Sequence, residues 1–587
     1  MKKYQLLAAV LSAGLLMTAC SNTLEVTQEN IVGKNAGEDE RENINNDAAN
    51  HMASQTFEGE TTIIAPDDVF SKRDLSGEYA EDECERITLR GDGATTDSAG
   101  VAIDANTITV NREGTYIIEG TMKNGMIIVD VDKSEKVQLV LNGADITSAM
   151  SAPVYVKSAD KVFITLADGT VNTLTNSGSF EAIDDNNIDA VIFSKDDLTL
   201  NGTGSLTIAS PAGHGVVSKN DLVITNGTYI ITAASHGLSG KESVAVADGS
   251  FTITSGKDAV HSEDDEDDTS GWVYIEGGTF DFAAEGDGIE ALNEIYIAGG
   301  SLTVTKSEEG FEARLINISG GTIDITSLDD GLNATDKRTS TQTARSENAG
   351  SFRGAGDTHA DANINITGGT VRINAEGDGI DSNGYITVSG GEVFVMGSAG
   401  GGDGALDYGI FAQVSGGTVV AAGQSGMAVN FCEGSTQGAI LVNIQSQQQA
   451  GTDVMLLDSN GKELIVHTIE KGYDSVVVSC PEIVDGGTYT LKIGTEETQI
   501  TMDGLIYGSG HEMGGGRGNM KGGADQTPHR GGRQNGEMPP NGEMPPNGEK
   551  PDAEMPNEKD FGGEKPNREN FNGQRPDRDH SENAVDI

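Results

Sequence analysis

Tryptophan occurs once in 587 residues and aromatics make up only 5 % of the chain, so the interior must be aliphatic rather than built on large rings. Basic residues are scarce as well: 38 Lys and Arg stand against 92 Asp and Glu, a formal charge of −54. That imbalance excludes general nucleic-acid binding, which needs a basic stripe. It makes divalent cations the natural partners, and Ca2+ is the hard, oxygen-seeking ion available outside cells. Cysteine is rare. After Cys20 only Cys84, Cys432 and Cys480 remain, an odd number that argues against a disulfide framework. A Cys432 to Cys480 bridge would contribute about 4 kcal/mol through loop-closure entropy; reduced, buried thiols are the alternative.

What is abundant is glycine, 79 residues, which suits many short turns between small strands. At the N-terminus Lys2 and Lys3 precede an apolar run from Leu6 to Met17, followed by Thr18, Ala19 and Cys20. The run falls short of the roughly 20 residues of a spanning helix. It reads as a secretory signal, residues 1–20, ending in a lipobox-like site with Cys20 as the lipidated residue, an ordinary signal peptide being the alternative. Residues 21–65 are acidic and polar and read as a flexible spacer.

Short β-branched runs begin at about 66, and within the β-helix region 66–435 a unit of the form apolar-x-apolar-x-Gly-Gly-x-apolar-x-apolar recurs between Leu222 and Val419, as in Ile295, Ile297, Gly299, Gly300, Leu302 and Val304, and again in Ile386, Val388, Gly390, Gly391, Val393 and Val395. The second glycine falls at 227, 249, 278, 300, 321, 369, 391 and 417, giving steps of 22, 29, 22, 21, 48, 22 and 26. Alternation at period two turns one set of side chains inward, and a fixed base period of 22 makes each unit one coil of an all-β parallel β-helix. The step of 48 is two coils or one coil with an insertion; Lys337 to Ala362 lacks alternation and reads as a protruding loop. Residues 436–508 carry strand patterns without the period and predict a small antiparallel β module that caps the helix. Residues 509–587, rich in Gly, Pro, Asn and Glu, bury too little apolar surface to order and read as a disordered tail.

A second pattern shares the period. An acidic or small polar residue followed by Gly or Ala stands before each strand pair: Asp189, His214, His236, Asp258, Asp287, Glu309, Asp330, Asp378 and Asp403. In a solenoid these side chains form a column, and carboxylates stacked about 4.8 Å apart repel without a counter-ion. With acids beside the column, the candidate Ca2+ ligands are Asp185, Asp189, Asp258, Asp264, Asp265, Asp287, Glu290, Asp329, Asp330, Asp378, Asp381, Asp403 and Asp407. Asp before Gly also caps its own turn, which is the plain alternative. His214 and His236 stand where other coils have acids and read as turn-packing imidazoles. For uronate β-elimination the base candidates are Arg314 and Lys306; no nucleophile elbow, zinc motif or phosphate loop is present.

The stretches Val69 to Gly77, Lys136 to Gly143, Ile164 to Thr170, Asn172 to Leu174 and Phe193 to Gly204 resemble a family of clostridial-type carbohydrate-binding β-helix proteins, over about residues 66–430. The resemblance implies a right-handed parallel β-helix akin to calcium-dependent pectate lyases, with bound Ca2+ and affinity for cellulose or acidic sugars such as polygalacturonate. His214 and His236 depart from that pattern. The expectation is a non-catalytic, lipid-anchored protein of the outer cell face that binds plant or bacterial wall polysaccharide. A calcium-dependent polysaccharide lyase and a structural wall or spore-surface protein are the alternatives.

Overall fold

The computed structural model describes residues 69–338, 358–400 and 402–508. Cys20, the acidic spacer and the tail lie outside the described residues. The chain is all-β with almost no helix and winds into a parallel solenoid of about 12 turns.

Each coil contributes three strands rather than two. One coil runs Ile289–Ala291, Glu294–Ile297 and Ser301–Lys306, and the next runs Phe311–Ala313, Leu315–Ile318 and Thr322–Ser327. Each strand pairs in parallel with its counterpart one coil on. The second and third strands are the two halves of the glycine-pair unit. The first is only three residues long, too short to show a period, and the sequence pattern takes it for a turn. These short strands assemble into a separate 13-stranded sheet along one side of the solenoid.

The two glycines serve different purposes. Gly300 and Gly321 have φ of 89° and 87°, a conformation that strains residues bearing a Cβ. Their preceding partners are held by space: a Cβ on Gly299 would come within 2.5 Å of the Glu276 carbonyl oxygen, and one on Gly320 within 2.3 Å of that of Ala298. The base step of 22 survives between Thr228 and Ser250, Thr279 and Ser301, and Thr370 and Glu392. Longer coils raise the mean spacing to about 25 residues. Across the step of 48, Thr322 pairs directly with Thr370 and Ile323 with Val371, so it is one coil with an insertion. Residues 339–357 of that insertion lie outside the described residues.

Alternation fills the interior with Ile, Val and Leu in vertical files, because inward positions of neighbouring coils stack. Tyr229, Phe251 and Phe280 form one such file, with ring centroids 5.1 and 4.7 Å apart. The C-terminal strands have an apolar cluster of their own and are continuous with the solenoid. Ala439–Gln448 and Tyr473–Ser479 continue the solenoid's large sheet in antiparallel fashion, Tyr473–Ser479 lying between the last coil strand and Ala439–Gln448. Four further strands make an antiparallel sheet that packs on them around Val454, Leu456, Tyr489 and Ile500. Cys84, Cys432 and Cys480 are free thiols, Cys480 buried and the other two half-buried, so the bridge considered from the sequence is absent and the burial alternative holds for Cys480 alone.

Phe280 is fully buried whereas Ile230, on the outward side of a neighbouring strand, is 48 % exposed. Phe280→Ala is expected to cost about 3–5 kcal/mol and Ile230→Ala no more than about 1 kcal/mol. Denaturant unfolding of the two variants measures the difference, and equal losses would contradict this inward and outward assignment.

Candidate functional site

The short sheet builds the site. Its strands are bonded coil to coil, so residues at one position form an upright file. Gly237 N–H donates to Asp258 O at 3.0 Å, Ala259 N–H to Asp287 O at 3.0 Å, Gly288 N–H to Glu309 O at 3.0 Å, Gly310 N–H to Asp330 O at 2.9 Å and Gly331 N–H to Asp378 O at 2.9 Å. His236, Asp258, Asp287, Glu309, Asp330 and Asp378 thus stand one above another. A second file runs beside it three residues further along each coil: His261 pairs with Glu290, Glu290 with Glu312, Glu312 with Asn333, Asn333 with Asp381 and Asp381 with Asp407. Two parallel ladders of ionisable groups therefore share one edge.

Three sets of side chains bring their donor atoms within 4.8 Å of one another: His236, Asp258 and His261; Asp258, Asp287 and Glu290; Asp287, Glu309 and Glu312. Successive sets share Asp258 or Asp287, so they form a run of adjoining positions. At the upper end the imidazoles of His214, His236 and His261 stack, with ring centroids 4.9 and 4.1 Å apart. Asp258 Oδ2 lies 2.8 Å from His236 Nδ1 and 3.1 Å from His261 Nδ1. In the middle, Lys337 Nζ pairs with both Glu290 and Glu312.

Charge is poorly balanced along this edge. Burial would raise the Asp258 carboxyl, but the two imidazoles outweigh it and hold the group well below the usual carboxylate range. Burial would likewise lower His261, but Asp258, Glu263 and Glu290 hold its imidazolium. His214, buried and beside His236, is pushed down to about 3 and is neutral. Further along, burial and then mutual repulsion push carboxyls up: Asp287, Glu309 and Glu312 are raised. Asp330 and Asp381 reach about 7 and Asp378 about 9, and Asp407 is raised for the same reasons. A bound cation would relieve this crowding, since it supplies the opposite charge that favours ionised carboxylates.

Of the residues singled out from the sequence, the fold brings Asp258, Asp287 and Glu290 into common groups and stacks Asp330, Asp378, Asp381 and Asp407 in the lower ladder. Asp329 and Asp403 act on that lower ladder electrostatically without joining a three-donor set. Asp189 sits at the top, 3.9 Å from His214 Nε2. Asp264 is instead engaged by Lys241 at 3.2 Å and accepts from Glu266 N–H. Asp185 and Asp265 are exposed and belong to none of the three groups. Lys306 is paired with Glu285 at 2.6 Å and Arg314 reaches Asn293 and the Asp361 carbonyl, so neither base candidate stands in these groups. His236 packs between the rings of His214 and His261, and it also meets Asp258. The sequence reading passed over His261, Glu312 and Lys337. The first two were recoverable, for each lies three residues after a column residue, as Glu290 follows Asp287.

The family model described as a carbohydrate-binding domain-containing protein matches residues 104–404. A carbohydrate-binding domain-containing protein of Acetivibrio thermocellus is 38 % identical over 161 residues, which is 27 % of this chain and 56 % of that protein. The chain therefore matches a little over half the length of that curated relative. A solved structure of a polysaccharide lyase-like protein from C. thermocellum, a gadolinium derivative, is 35 % identical, covers 40 % of this chain and 96 % of the other, and has a TM-score of 0.39.

The raised carboxyls give a signed expectation. A carboxyl with a folded pKa above its unfolded value of about 3.9 stabilises the fold while protonated, and that contribution is lost as pH rises through the folded pKa. For Asp330, Asp378 and Asp381 the loss accrues from about pH 4 upward, ending near pH 7 for Asp330 and Asp381 and near pH 9 for Asp378. The melting temperature of chelator-treated protein is expected to fall by several degrees from pH 5.5 to 9. A flat or rising profile would contradict the crowding described for the lower ladder.

Proposed function

Because this chain belongs to the family of carbohydrate-binding domain-containing proteins, we propose that it is a non-catalytic polysaccharide-binding protein whose carboxylate ladder holds Ca2+ and through it grips acidic sugars. The observation that carries this reading is the file of half-buried, mutually crowded carboxylates on the short-sheet edge. Calcium takes six to eight oxygens. Carboxylates on adjacent coils, such as Asp330, Asp378, Asp381 and Asp407, supply several of these, and the remaining positions stay open to solvent or to a sugar carboxylate. Without a cation, an edge this acidic repels a uronate polymer; with one, it attracts it. Calcium thus acts as the bridge between two polyanions.

The non-catalytic form is supported by the state of the basic group within the ladder. A β-eliminating base must be unprotonated to take the sugar proton. Lys337, between Glu290 and Glu312, is pushed the other way: burial alone would lower it, but the two carboxylates raise it and keep it charged. Anchoring through Cys20 would hold the solenoid at the outer face of the membrane, with residues 21–65 as the spacer.

Retention on polygalacturonate is expected to require Ca2+ and to be abolished by EDTA, with cellulose run beside it as the neutral polymer. Asp378→Asn combined with Asp381→Asn should weaken calcium-dependent retention by at least about tenfold, the lower end of the range for disturbing a metal's surroundings. Retention unchanged by EDTA would exclude the calcium bridge, and release of unsaturated sugar, followed by absorbance, would establish the lyase alternative. Cys20→Ser should move the protein from the membrane fraction to the soluble fraction of the cells that produce it.

A further inference from the structure

We propose that the upper end of the ladder is a separate site for an imidazole-seeking divalent metal of the zinc class, held by His236 Nδ1, Asp258 Oδ2, His261 Nδ1 and Glu290 Oε2. The four donors come from three successive coils, and the distances between them are the first reason. His236 Nδ1 to Asp258 Oδ2 is 2.8 Å, Asp258 Oδ2 to His261 Nδ1 is 3.1 Å and His261 Nδ1 to Glu290 Oε2 is 3.1 Å. Bonds of about 2.0–2.2 Å from zinc to nitrogen and oxygen give a tetrahedron with edges of about 3.3 Å. These three consecutive distances fall short of that edge by only a few tenths of an ångström.

The second reason is the His236 ring. It is more than nine-tenths buried, and its Nδ1 faces Asp258 yet lies outside hydrogen-bond alignment with it or any other group. A buried nitrogen 2.8 Å from a carboxylate oxygen but out of line for a hydrogen bond with it is placed as a metal ligand would be. His214 stacks on the opposite face of the His236 ring and serves as a positioning residue. Lys337 takes Glu290 Oε1 and Glu312 Oε2, which leaves Glu290 Oε2 for the ion. An entry path exists: His236, Asp258, His261, Glu263, Glu285 and Glu290 line an open cleft of about 430 Å³.

Ligand chemistry separates this position from the rest of the edge. Imidazole suits zinc, copper and nickel, whereas carboxylates suit calcium, magnesium and manganese. The lower ladder, from Asp330 to Asp407, offers oxygen alone. One edge thus grades from mixed nitrogen and oxygen donors to purely oxygen donors.

The test uses the full chain stripped with chelator and titrated with Zn2+ alone, then with Zn2+ against excess Ca2+, by calorimetry. One equivalent of zinc that millimolar calcium does not displace is expected, and Co2+ in its place should give the visible absorption of a four-coordinate site. Disturbing groups around a metal costs about 10–100-fold in affinity. His236→Ala and His261→Ala, which remove direct ligands, should each cost at least about a hundredfold. Both variants should keep the calcium stoichiometry and far-UV spectrum, and His261→Gln serves if the alanine variant misfolds. Zinc bound no more tightly than calcium, or equally well by the double variant His236→Ala and His261→Ala, would overturn the assignment. Loss of calcium binding in the unmodified protein, with zinc retained, would defeat the calcium bridge and leave this site standing.

Discussion

Everything in this molecule follows from parallel stacking in fixed register. Once each coil hydrogen-bonds to the one before it, residues some 22 positions apart in the chain become neighbours at strand spacing. Whatever is repeated in sequence is then concentrated in space. For apolar positions the concentration is favourable and makes the interior files of Ile, Val, Leu and Phe. For ionisable positions it is unfavourable, because like charges are brought within reach of one another on a partly desolvated edge. The fold therefore supplies its own stabilising core and its own electrostatic strain from a single geometric rule.

The solenoid was legible because its signal is redundant. Six glycine pairs and two single glycines at related spacings specify both the coil and the turn, and the two members of a pair answer to separate constraints, as Gly299 and Gly300 illustrate through close approach and positive φ. The first, short strand of each coil was not legible as a strand. Ile289–Ala291 and Phe311–Ala313 have three residues each, which is one alternation and no period. The antiparallel continuation by Ala439–Gln448 and Tyr473–Ser479 was also missed as part of the main sheet, since strand patterns reveal elements and not their partners. The acidic column was visible through its shared period, whereas the second file needed the short strand to be recognised first. Cross-chain encounters such as Lys337 with Glu290 and Glu312 carry no sequence signature, because an insertion sets which coil the lysine reaches.

The two ladders show how one scaffold yields different chemical environments by substitution at equivalent positions. Asp258 and Asp378 occupy the same file, yet the first is held ionised by imidazoles and the second is driven toward its neutral form by burial and then by other acids. The backbone at the two places is the same short parallel strand. What differs is the identity of the residues one coil away, so the properties of a position on this edge are set as much by its vertical neighbours as by its own side chain.

The direct pairing of Thr322 with Thr370 has a further consequence. Both ends of the detour between them are fixed in adjacent strands, so its length enters stability only through loop closure, which grows logarithmically. The solenoid can tolerate grafted segments of varied size at that point while its coils remain in step. The graft would emerge beside Lys337 and the middle of the ladder, a location suited to altering ligand selectivity without redesigning the scaffold.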